Sequence, residues 1–270
     1  MIEEIRTQVA KQLQKLDGIV GLRQTNQGTG PFLFRDGDDL NQLVLEPRYP
    51  LPVVLSKLQK QFRDANFGIV ARGCDVRALV EMTKRLQIDS DRLYLIGFTC
   101  SAEQAKMCYC ADPFPAIEQW PKAEMIGESV TGVQPNPLVE KFKTMSWEDR
   151  RTFWHQQFQK CIKCYGCRDI CPVCFCEACS LEDPQWVEPG LLAPEFPTFH
   201  LIKAIHMTTR CVACRQCELA CPSEIPLTVL YDLIREDVSN LIGYIPGADL
   251  EAAPPLSLTL SDAPMKSDLV

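Results

Sequence analysis

Cys161-Ile162-Lys163-Cys164-Tyr165-Gly166-Cys167-Arg168-Asp169-Ile170-Cys171-Pro172 spaces four thiols by two, two and three residues and closes on proline. Cys211-Val212-Ala213-Cys214-Arg215-Gln216-Cys217-Glu218-Leu219-Ala220-Cys221-Pro222 repeats that spacing without deviation. Three thiolates on so tight a loop reach three irons of one 4Fe-4S cubane. The chain then turns helical, so the fourth thiol points away and meets the neighbouring cluster. Two such runs exchange their last ligands. The expectation is one cluster on Cys161, Cys164, Cys167 and Cys221, and a second on Cys211, Cys214, Cys217 and Cys171. Pro172 and Pro222 end each run with a fixed φ that suits a turn. A structural zinc module fits poorly, because it pairs cysteines across a longer spacer and needs four ligands in all.

The chain has 270 residues and 15 cysteines, of which eleven fall between Cys161 and Cys221. In a chain this long, lacking a signal segment, such density points to metal and not to disulfides. Met1-Ile2-Glu3-Glu4-Ile5-Arg6 has no apolar core behind a basic start. Arg150-Arg151 sits mid-chain, where it cannot act as a twin-arginine signal. No stretch approaches the roughly 20 apolar residues that span a bilayer. A cytoplasmic location is expected. The net charge of −7 argues against a nucleic-acid partner, whose recognition rests on clustered Lys and Arg.

Outward from the two runs, 39 residues separate Cys171 from Cys211, and they include Cys174, Cys176 and Cys179. Those thiols either ligate a further metal centre or lie buried as small apolar groups. Upstream, residues 1–134 read as an α/β domain. Ile5, Val9, Leu13 and Leu16 keep helical period. Short strands follow at 18–22, 32–34 and 42–45, then a helix at 55–62, a strand at 67–71, a helix at 75–86 and a strand at 92–98. Strand–helix–strand order implies a parallel sheet. Prolines at 113, 115, 121, 135 and 137 mark an irregular stretch ending this domain. Residues 135–245 form an α-helical, ferredoxin-like two-cluster domain, with helices at 146–161, 199–208 and 227–241. Residues 246–270 form a Pro-rich extended tail, either flexible or wrapped on a partner.

Cys74 follows the strand ending at Ala71, Cys100 follows the next strand, and Cys108 and Cys110 lie on the loop beyond. The C-terminal edge of a parallel sheet is where ligands bind. These four thiols converge on a third iron–sulfur cluster or are reduced structural cysteines; both readings stand. Arg72, Asp75 and Arg77 flank a helix N-terminus that either receives an anion or is capped by its own ion pair. His200 and His206 lie beside the second run, either tuning that cluster by hydrogen bonds or merely packed there. His155 has no functional reading. No Ser/His/Asp set, His-rich site or phosphate loop is present, and Gly28-Thr29-Gly30-Pro31 is too short for a nucleotide fingerprint.

Arg72-Gly73-Cys74-Asp75-Val76-Arg77-Ala78-Leu79, followed by Leu95-Ile96-Gly97 and Cys100, resembles the β-subunit family of deazaflavin-reducing hydrogenases and formate dehydrogenases. The doubled cysteine runs, with Cys174-Phe175-Cys176 after the first, are similar to the C-terminal part of formate dehydrogenase β subunits. The resemblance covers most of residues 1–245. It implies a subunit of anaerobic metabolism that accepts electrons from a catalytic oxidoreductase partner. Such a subunit passes them through clusters to a flavin (FAD), and on to a deazaflavin or a heterodisulfide-reductase-like carrier subunit. Two functions are thereby expected as alternatives. One is a non-catalytic electron-transfer subunit, and the other a flavin-containing subunit that itself reduces a deazaflavin or nicotinamide coenzyme. A zinc-bound assembly module without redox activity is a third.

Overall fold

Ile5, Val9 and Leu13 recur along one face of a helix and are all buried, so the first element, α1 (Ile2–Leu13), is held by its apolar stripe. Each such side chain contributes roughly 1.5–3 kcal/mol of transfer free energy. A computed structural model describes residues 1–133 and 135–255. It divides into two units: Met1–Val133 with Gly247–Glu251, and the remainder.

In the first unit β1 (Gly18–Thr25) and β2 (Gly28–Phe34) form a tight hairpin, in register from Ile19 opposite Phe34 to Thr25 opposite Gly28. Asn26 and Gln27 make its two-residue turn, and Gly28 takes a φ of 130° that a side chain resists. β3 (Leu43–Val44), α2 (Leu51–Gln61), β4 (Phe67–Ala71), α3 (Gly73–Lys84), β5 (Leu93–Phe98), α4 (Ala102–Met107) and β6 (Ala123–Ile126) complete the unit. The strand order is β2-β1-β4-β5-β6, with β3 paired to β1.

β1, β4, β5 and β6 run parallel, whereas β2 and β3 are antiparallel to β1. The sheet is therefore mixed, not parallel as expected, because the β1–β2 turn is too short for a crossover. β6 falls inside the stretch read as irregular. Every residue of β4 is buried, as a strand covered on both faces requires. Val70, Ile96 and Phe98 pack against α1; α2 and α3 pack on β4 and β5.

The second unit is helical, consistent with expectation. It contains α5 (Pro137–Thr144), α6 (Trp147–Phe158), α7 (Gly166–Asp169), α8 (Thr198–Met207), α9 (Gln216–Leu219) and α10 (Leu227–Ile242). Ser146 caps α6, its hydroxyl accepting from the Asp149 N–H at 3.1 Å and donating to the Asp149 carboxylate at 2.9 Å. Val139, Phe142 and Val229 form a small core, with the Phe142 and Phe153 rings edge to face at 4.8 Å.

Gly247–Glu251, part of the tail expectation, packs within the first unit. The Gly247 N–H donates to the buried Glu81 carboxylate at 2.8 Å, and the Leu250 N–H to Gln119 at 2.7 Å. The tail beyond 255 lies outside the described residues. Among the described residues no helix is long and apolar enough to cross a membrane.

Candidate metal centres

The two cysteine runs share one backbone shape. Lys163 and Tyr165 in the first run have φ of 50° and 57°; Ala213 and Arg215, at matching positions in the second, have 52° and 59°. None is glycine, so each adopts the left-handed region at a steric cost. Alternating right- and left-handed residues turn successive N–H groups into a concavity for an anion. The Lys163 N–H is aimed at the Cys161 thiol and the Ala213 N–H at the Cys211 thiol. Immediately afterwards α7 and α9, which pack together, carry the third thiol of each run and lead to the fourth.

Cys161, Cys164, Cys167 and Cys221 line one cavity, together with His200 and Ile225. Burial pushes the Cys167 thiol up to about 12, and the nearness of Cys161, Cys221 and Cys164 adds to it. Burial likewise raises Cys217 well above its ordinary value, with Cys214, Cys171 and Cys211 as its thiol neighbours. Burial holds Cys211 at about 11, with Cys171 again nearby. The fourth thiol of each run thus lies among the first three of the other. Sulfur-only sets of four, partly desolvated and facing oriented N–H groups, fit a 4Fe-4S cluster in donor chemistry. Among the described residues no three His, Cys, Asp or Glu side chains converge on a point that would hold a single metal ion.

His200 is 4% exposed and stacks on Phe158 with ring centroids 3.8 Å apart. Burial lowers its imidazole to about 4, so the ring is neutral, and its Nδ1 has no hydrogen-bond partner. It lines the cavity of the first set, not the second as its sequence position suggested. α8 faces a different set at this turn from the one its next residues enter.

Sequence reasoning missed Lys203, which is 3% exposed. Burial alone would lower its ammonium, but the thiols of Cys171, Cys174 and Cys167 around it overcome this and raise it. A lysine at helical spacing from His200 and Met207 was the only available signal. His206 is exposed; burial first, then Arg210 and Lys203, lower its imidazole.

In the first unit, β4 and β5 end side by side and deliver Cys74 and Cys100 to the sheet's C-terminal edge. α4 then brings round Cys108 and Cys110. Cys74 is pushed up to about 12 by burial, with Asp75 and Cys100 adding; Cys100 rises to about 11 by burial, with Cys110 and Cys108 among its neighbours. Three cations surround these thiols. Arg48 donates to Cys108, Arg77 Nη2 reaches Cys110 Sγ at 3.8 Å, and the Arg72 guanidinium lies 5.2 Å from the Phe98 ring centroid. A Cβ on Gly73 would stand 2.9 Å from the Asp112 carbonyl oxygen, so this loop closes over α3 only because residue 73 is glycine.

The anion reading of Arg72, Asp75 and Arg77 gives way to capping. The Asp75 carboxylate accepts from the Arg72 N–H at 3.1 Å, and Arg72 Nη2 pairs with Glu46 at 3.0 Å. Gly28-Thr29-Gly30-Pro31 is a hairpin strand, not a phosphate loop.

An α/β unit with thiols on its sheet edge is thus joined to a helical unit that carries doubled four-cysteine runs. No family model matches the chain. Over 138 residues it is 38% identical to the F420-dependent formate dehydrogenase subunit beta of Methanocaldococcus jannaschii, covering 50% of this chain and 36% of that one. Over 300 aligned residues it is 27% identical to the F420-dependent formate dehydrogenase 1 subunit beta of Methanococcus maripaludis, covering 74% of this chain and 77% of that one. The match thus spans about a third of the first relative's length. Both relatives agree with the β-subunit resemblance read from the residues.

Proposed function

We propose that this chain is the iron–sulfur electron-transfer subunit of a multi-subunit oxidoreductase related to the formate dehydrogenases. It would stand between a catalytic partner and a second carrier subunit. When bound, 4Fe-4S clusters on Cys161, Cys164, Cys167 and Cys221 and on Cys211, Cys214, Cys217 and Cys171 supply one-electron redox centres. The observation that carries this reading is the left-handed backbone repeated at matching positions of both runs, with each fourth thiol among the other run's three.

The chain's own residues hold these sites ready. Lys163 and Ala213 amides orient the first thiolates, and Lys203 offsets negative charge between the sets. The thiols of Cys74, Cys100, Cys108 and Cys110 are proposed to hold a third cluster, with Arg48 beside Cys108 and Arg77 beside Cys110 supplying compensating charge. Because buried thiols favour the protonated form, loading releases protons, and cluster insertion is linked to folding.

Anaerobic purification from the native host tests the reading. The chain is expected to co-purify with a catalytic oxidoreductase subunit and to carry about eight irons or more, with matching acid-labile sulfide. A preparation free of iron and sulfide would remove it. A second reading draws on the word F420-dependent in both relatives' names: the α/β unit itself holds FAD and reduces a deazaflavin or nicotinamide. Near-stoichiometric flavin released by acid extraction would favour it.

His200→Phe keeps the stack on Phe158 but removes a buried N–H beside the first set. Hydrogen bonds to cluster sulfur stabilise the more negative, reduced state. The first cluster's midpoint potential is expected to fall while the second's stays, read by redox titration followed by electron paramagnetic resonance.

A further inference from the structure

Cys174, Cys176 and Cys179, which neither ferredoxin-type set uses, line one cleft of about 270 Å³ together with His206. Their loop is pinned in place. The Tyr165 hydroxyl donates to the Leu181 carbonyl at 3.2 Å, and the Cys174 N–H donates to the Cys171 carbonyl at 3.2 Å. Leu181 is buried beneath the loop.

Each thiol faces a cation: Lys203 stands by Cys174, Arg210 Nη1 is 3.7 Å from Cys176, and Arg168 reaches Cys179. Lys203 lines this cleft, is 3% exposed, and its Nζ makes no well-formed hydrogen bond. Its ammonium lies among the thiols of Cys171, Cys174 and Cys167, and a charge buried there is costly unless negative charge develops beside it.

We propose that this cleft is a further iron–sulfur site, with Cys174, Cys176 and Cys179 as thiolate ligands and the His206 imidazole as the fourth. Soft thiolates with one imidazole suit a cluster or zinc. The groups ring a cleft of this size, which has room for a cluster and not only a single ion. The resulting centre is anionic and would meet Lys203 and Arg210, whereas Arg168 is already paired with Asp169 at 2.7 Å and Glu182 at 2.6 Å. This site goes beyond the two-cluster relay, and its variants leave all eight ferredoxin-type cysteines in place.

The test uses the full chain, loaded anaerobically with iron and sulfide. Replacing Cys174, Cys176 and Cys179 together by serine is expected to remove about four irons and as many sulfides per chain, while the other clusters' spectra persist. Cys176→Ser alone, at an exposed position that folding tolerates, should lose or degrade the same centre. In the parent chain the reduced centre should show nitrogen hyperfine coupling, and His206→Cys should abolish that coupling while retaining the iron. An unchanged iron count in both serine variants overturns the site, as does zinc lost in place of iron. Absence of nitrogen coupling overturns the His206 assignment. A chain that takes up no iron at all would also fail the relay reading, whereas unchanged iron in the variants sinks this site alone.

Discussion

Replacing Cys221 by alanine is expected to damage the first cluster, not the second, although Cys221 belongs by sequence to the second run. Its thiol lies with Cys161 and Cys167. Cys171→Ala should do the reverse, because Cys171 neighbours Cys217 and Cys211 and touches Met207 sulfur at 3.8 Å. Each variant should lose or degrade one cluster, with up to about four irons gone, and the two losses should differ spectroscopically. His200→Phe supplies the marker, since it shifts the first cluster only. The surviving cluster should also load less fully, because α7 and α9 are each held by ligands to both centres. If Cys221→Ala spared the His200-sensitive signal and removed the other, ligation within each run would be established and the exchange refuted.

The spacing of the two runs points to this candidate site, because a two-two-three interval constrains where thiols can point. Apolar runs such as 67–71 and 92–98 are equally plain. Other features carried no local signal. β6 is a four-residue strand among prolines, only one of its residues is buried, and it exists because β5 offers a free edge. α4 and α5 are too short for a period to develop. That β1 pairs with β4 through Val20 and with β3 from Leu22 depends on the hairpin between them. The gathering of Cys74, Cys100, Cys108 and Cys110 follows from strand order, which no single stretch of sequence encodes. Lys203 carries no local signal in the sequence, and only the thiols packed around it give its charge a purpose.

Glu81→Ala is expected to destabilise the first unit by ~3–5 kcal/mol, a large fraction of a typical domain's stability. Glu81 is fully buried on α3. Its carboxylate takes Lys84 Nζ at 2.9 Å, the Arg85 guanidinium, and the Gly247 N–H at 2.8 Å. Lys84 also donates to the Asp249 carbonyl at 3.0 Å. Removing the carboxylate takes the Glu81 charge away from two buried cations, Lys84 4% and Arg85 12% exposed, and strips the Gly247 amide of its acceptor. Breaking a buried ion pair by removing one partner costs more than the intact pair contributes, so the loss exceeds what a surface ion pair would give. Gly247 is itself constrained, because it takes a φ of 81° and a Cβ there would stand 2.6 Å from the Arg77 Cβ. Glu81→Gln keeps an acceptor for Gly247 but not the charge, and should fall between parent and alanine. Thermal denaturation should place Glu81→Ala on the order of 10 °C below the parent, with Gly247–Glu251 the first segment cut by protease. A melting temperature within a degree or two of the parent, with that segment still protected, would mean that α3 and the returning chain are held by packing alone.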